Sequence, residues 1–132
     1  MSEQLLLLFW LAIKHGVCDL ALQAIYCRPS NKHLIMSKKA LLHSGHHGAG
    51  TFIVLTFFSL PLSITIGLAL MDMVIHHIIY HTKSSLVKKY NWTQDGKMYW
   101  VATTIDQNLH FTIYFLICLQ SLCPDCCGGL SL

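Results

Sequence analysis

Nearly the whole of this chain is greasy, yet at four places inside its apolar stretches a histidine or aspartate stands four residues from another. The pairs are His15 and Asp19, His43 and His47, Asp72 and His76, and Asp106 and His110, with Tyr80 continuing the third series one turn beyond His76. Four-residue spacing stacks both side chains on one face of a helix. Helices that each turn such a pair toward a common axis make a ligand-lined interior, as helix bundles with metal sites do.

The spacing predicts an all-α fold, and composition says where it sits. Of 132 residues, 54% are hydrophobic and only 11% charged. A bilayer-spanning helix needs roughly 20 mostly apolar residues, and stretches at 5–26, 39–59, 62–83 and 97–122 qualify. They predict one polytopic membrane domain over 1–122, a four-transmembrane-helix bundle with a polar His/Asp interior, and a short cysteine-rich tail over 123–132. Pro61 suits the first turn of the third helix and would break the second. The leading Leu5–Trp10 run resembles a secretion signal, but Glu3, Lys14 and His15 interrupt the pattern and no small-x-small site follows, so it reads as a retained span.

Lys and Arg are retained on the cytoplasmic side of a membrane. Arg28, Lys32, Lys38 and Lys39 fall in the first connection, and Lys83, Lys88, Lys89 and Lys97 flank or fill the third; the second connection and both tails have none. That alternation predicts a multi-pass membrane protein with both termini outside. These loops account for the net charge of +3, so no nucleic-acid partner is implied; the partners are the lipid bilayer and a second copy or another membrane protein.

Counting at about 1.5 Å per residue puts the paired residues within roughly 6 to 17 Å of the cytoplasmic edge, His15 and His110 a little deeper. The outer halves of the middle spans, 51–60 and 62–71, carry no ionisable residue. A lone histidine in a soluble core is usually a hydrogen-bonded packing residue. In a bilayer an aspartate at a helix centre costs roughly 2.5–3.5 kcal/mol and is kept for function.

Imidazoles and carboxylates together suit a divalent transition metal, such as Zn, Fe or Mn, better than Ca or Mg. His15, Asp19, His43, His47, Asp72, His76, Asp106 and His110 are the candidate ligands. Eight fit two ions, or one ion with an orienting shell. Three carboxylates with no counter-charge call for at least one ion. A hydrolase would need a base off the metal, for which Asp72 or Asp106 is the candidate. Gln23 and Gln107 could hydrogen-bond ligands or pack between helices, and Lys14 could snorkel or pair with an aspartate. Lys83 marks the membrane edge, and His46, His77 and His81 lie on other faces. Gly45, Gly48 and Gly50 allow close helix approach. Cys18, Cys27 and Cys118 read as packing residues, while Cys123, Cys126 and Cys127 make only half a zinc site.

The ordered set His15-x-x-x-Asp19-x-x-x-Gln23, Leu41-Leu42-His43-x-x-x-His47, His76 seven before Lys83, and Asp106-Gln107-x-x-His110 resembles the bacterial and phage membrane-protein family of domain of unknown function 3307 over about residues 5–117. The resemblance implies a small polytopic inner-membrane protein and brings no established activity. Where that pattern has an aspartate four residues after the third-span histidine, this chain has Tyr80.

Three functions follow from these residues: a metal-dependent hydrolase acting at the cytoplasmic interface, a non-catalytic metal-stabilised accessory or assembly protein, and an ion or proton carrier. The blank outer halves of the middle spans speak against the carrier.

Overall fold

A computed structural model describes residues 2–22, 25 and 38–121. Arg28, Lys32, His33, Gln23, Cys27 and the cysteine-rich tail lie outside the described residues.

The described chain is all-helical. It comprises α1 (Glu3–Gly16), a π-helical continuation (Val17–Leu22), α2 (Lys38–Thr56), α3 (Leu62–Lys89) and α4 (Lys97–Ser121). Ser2 caps α1, its hydroxyl accepting from the Leu5 backbone N–H. Pro61 stands one position before α3 rather than in its first turn. The α2–α3 turn uses Ser59 at φ 52°.

The third helix runs to Lys89, a turn and a half past the expected end at 83, because no breaker intervenes. Lys88 and Lys89 sit where a helix dipole favours cations. The first helix does not continue in α-helical form either. It widens into a π-helical turn that carries Asp19, a geometry rare in helices and frequent at functional sites.

Each helix packs on two neighbours: α1 on α2 and α4, α3 on α2 and α4. Along this up-and-down ring the early residues of α1 and α3 meet the late residues of α2 and α4. There Leu7, Leu11, Leu55, Leu68, Tyr114 and Ile117 form the apolar core. The paired histidines and aspartates occupy the other half. Gly48 and Gly50 are the two glycines that close approach requires. A Cβ at Gly48 would stand 2.9 Å from Met73 Cβ, and one at Gly50 2.6 Å from Lys14 Cγ, whereas Gly45 has nothing within 4 Å.

The distribution of polarity is inverted relative to a soluble domain. Among the described residues, buried polar or charged side chains outnumber buried apolar ones, and large apolar side chains such as Phe9, Leu20, Ile53, Phe57, Leu70 and Phe115 are exposed. Two helical stretches, Glu3–Leu22 and Leu62–Lys89, are long and apolar enough to cross a membrane. The other two fall short because His43, His46 and His47 in α2, and Asp106, Gln107, Asn108 and His110 in α4, lower their average.

Candidate metal centre

Four of the eight candidate ligands come together, and His15, Asp72, Asp106 and His110 stand outside that group. The π-helical turn supplies Asp19, α2 supplies His43 and His47 on one face, and α3 supplies His76. One ligand atom from each of these four lies within 4.8 Å of all the others. His47 Nε2 is 3.1 Å and His43 Nε2 3.4 Å from Asp19 Oδ1, and His76 Nε2 is 3.0 Å from His43 Nε2. In a tetrahedral site with bonds near 2.0–2.1 Å, neighbouring ligand atoms stand about 3.3 Å apart. Three edges of that polyhedron are therefore already in place. The three imidazoles are almost wholly buried, His47 and His76 stacked at 3.5 Å between ring centroids. Asp19 is 20% exposed at its side chain.

The facing nitrogens of His43 and His76 constrain the chemistry. Two neutral imidazoles at this distance hold one proton between them, one ring donating and the other accepting. A cation on both lone pairs removes that requirement and leaves each ring protonated at Nδ1.

His15 holds the opposite side of Asp19. Its Nε2 lies 3.2 Å from Asp19 Oδ2 and 3.0 Å from Gln107 Oε1, and its Nδ1 2.9 Å from the Tyr114 hydroxyl. One direction of donation satisfies the whole chain. Lys14 Nζ donates to the Tyr114 oxygen at 3.0 Å, the Tyr114 hydroxyl to His15 Nδ1, and His15 Nε2–H to Asp19 and Gln107. The Gln107 amide donates onward to Asp19 Oδ2 at 3.3 Å and to Asp106 Oδ2 at 3.2 Å. In this arrangement His15 orients a ligand rather than completing the group.

Asp72 lies elsewhere. Its Oδ2 accepts from Lys14 Nζ at 2.8 Å and from the Thr51 hydroxyl at 2.6 Å. Lys14 also reaches the carbonyl oxygen of His47 at 3.4 Å. This buried ammonium thus touches α2, α3 and α4 from α1.

Asp106 accepts from Lys83 at 3.2 Å, and its other oxygen is 3.9 Å from His110 Nε2. The His110 ring stacks on His76 at 4.1 Å. Tyr80 packs its ring 4.9 Å from His43, at the edge of the group. His77 bonds Ser44, and His81 bonds Ser85.

Two sequence expectations are corrected here. Lys83, expected only to mark the membrane edge, pairs with Asp106. The three aspartates also do not stand without counter-charge. Among the described residues Lys14 and Lys83 neutralise two of them, which leaves a single negative charge around the centre. One divalent ion would bring that charge to +1, and two would bring it to +3.

Sequence reasoning missed Thr51 and Tyr114. Each continues a series already noted by another four residues, Thr51 after His47 and Tyr114 after His110. Extending the four-residue rule to hydroxyl side chains finds both.

Comparison with protein-family models, with curated proteins and with solved structures gives no match.

Proposed function

We propose that this chain is a four-span inner-membrane protein whose interior binds one divalent transition-metal ion on Asp19, His43, His47 and His76. The observation that carries the proposal is the meeting of those four ligand atoms from three helical segments. The inverted polarity supports the membrane placement of all four helices. Average hydropathy penalises α2 and α4 for polar residues that face inward, while Leu41, Leu42, Ile53 and Phe57 on α2 and Ile105, Phe111 and Phe115 on α4 are exposed. Lys88, Lys89 and Lys97 at the α3–α4 connection favour its cytoplasmic side, with both termini outside. Kinship with the family of domain of unknown function 3307 rests on the four ordered motifs and fits the same picture.

With Asp19 coordinated, the ion has four protein ligands and pins helices together as a closed structural site does. A second reading, metal-dependent hydrolysis at the cytoplasmic interface, is favoured by one feature. Asp19 is the most accessible member of the group, partly buried, while the three histidines are enclosed. Three imidazoles on an ion with Asp19 released would leave a position for water and a carboxylate beside it as base. Asp72 and Asp106 suit that role less, each being held by a lysine.

Elemental analysis of detergent-purified protein tests the proposal. One ion per chain is expected in the parent, lost in His47→Ala and in His76→Ala, and retained in Asp72→Asn. A parent without metal, or a His47→Ala variant with undiminished metal, contradicts it.

A further inference from the structure

The two oxygens of Asp19 have different partners. Oδ1 lies 3.1 Å from His47 Nε2 and 3.4 Å from His43 Nε2, among the atoms proposed to hold the ion. Oδ2 lies 3.2 Å from His15 Nε2 and 3.3 Å from the Gln107 amide nitrogen. A carboxylate oxygen has two lone-pair sites. With both sites of Oδ2 taken, Asp19 has Oδ1 alone to offer a cation.

The direction of these hydrogen bonds is fixed by a group that cannot accept. The Lys14 ammonium is a donor only, so at 3.0 Å it donates to the Tyr114 oxygen. The Tyr114 proton then has His15 Nδ1, at 2.9 Å, as its acceptor among the described residues. Nδ1 therefore keeps its lone pair and the ring proton stands on Nε2, where it meets Asp19 Oδ2 and, at 3.0 Å, the Gln107 carbonyl oxygen. With that oxygen turned to His15, the Gln107 amide hydrogens point to Asp19 Oδ2 and Asp106 Oδ2, which only accept. The other tautomer of His15 would set a bare Nε2 lone pair against two acceptors and a proton against the Tyr114 hydroxyl.

We propose that Tyr114 is a positioning residue for the ion: by fixing the tautomer of His15 it makes His15 a donor to Asp19 Oδ2 and so presents Oδ1 to the metal. The inference rests on the metal centre proposed above and deepens it. It gives α4, which supplies none of the four ligands, a part in metal affinity. Partners that orient a ligand are worth about 10–100-fold in affinity.

The test titrates the full chain in detergent with cobalt(II), followed by its visible absorption, and reads the His15 tautomer by nitrogen NMR of isotope-labelled histidine. Before metal is added, the parent should show His15 protonated at Nε2 and bare at Nδ1, a measurement that needs no variant. Tyr114→Phe should give a mixture of tautomers and raise the cobalt Kd by about 10–100-fold. His15→Gln keeps an amide donor for Asp19 and has no tautomer to set, so in that background Tyr114→Phe should leave the cobalt Kd unchanged. His15 protonated at Nδ1 in the parent overturns the inference, as does a Tyr114→Phe variant that binds cobalt as tightly as the parent. An equal loss from Tyr114→Phe in both backgrounds means that the phenol only packs, and overturns it too. A parent that binds no cobalt overturns the metal centre itself, and this inference with it, whereas a parent that binds cobalt alongside any of the other three results overturns the role of Tyr114 alone.

Discussion

Lys14 does at the scale of single residues what the proposed ion would do at the scale of the bundle. Its ammonium lies among a carboxylate, a phenol and a backbone carbonyl contributed by three other helices. Lys14→Met leaves Asp72 charged and buried with only Thr51 for a partner. Breaking one side of a buried pair costs about 3–5 kcal/mol, and unfolding of the variant in detergent should show a loss of that order. Replacing both, Lys14→Met with Asp72→Leu, should recover most of it. A double variant no more stable than Lys14→Met would show that the pair is not the source. Gly50→Ala puts a methyl group against the Lys14 stem and should cost about 1–3 kcal/mol by overpacking. The same unfolding measurement on Gly45→Ala, where nothing stands within 4 Å, should show no such loss.

Among the elements, the helices were largely legible in the sequence because long apolar runs bounded by Pro61 and basic loops leave few alternatives. Their ends were less so. Hydropathy falls at Lys83, but nothing stops hydrogen bonding there, and α3 continues to Lys89. The π-helical turn at Val17–Leu22 leaves no mark in a four-residue pattern, since His15 and Asp19 meet in either geometry. Four-residue spacing likewise identifies residues that share a face and says nothing of which face meets which. The separation of the Asp19, His43, His47 and His76 group from Asp72, Asp106, His15 and His110 depends on the rotation of each helix about its axis, which only packing fixes. Topology is tested at this scale with single cysteines in a cysteine-free background. Ser59→Cys in the α2–α3 turn should react with an impermeant maleimide in intact cells, and Asp95→Cys in the α3–α4 connection only after permeabilisation. The reverse pattern would invert the protein in the membrane.

For the whole molecule, two zones share the labour. An apolar half around Leu7, Leu55, Leu68 and Ile117 packs the helices together, and a polar half holds charges that would be untenable in lipid unless matched. Lys14 and Lys83 match two aspartates, and the remaining negative charge is the one that the proposed ion would meet. Metal removal should therefore loosen the polar half first. Hydrogen exchange after chelation should speed up around His43–His47 and His76 while the Leu55 and Leu68 turns stay protected. Uniform loosening would mean that the ion is not confined to this half.

The most direct test is X-ray absorption at the edge of whichever metal co-purifies. The account predicts a shell of three imidazole nitrogens and one carboxylate or water oxygen at about 2.0–2.1 Å, which loses an imidazole contribution in His76→Ala. A sulfur shell, or a shell of oxygens without imidazole scattering, would contradict it.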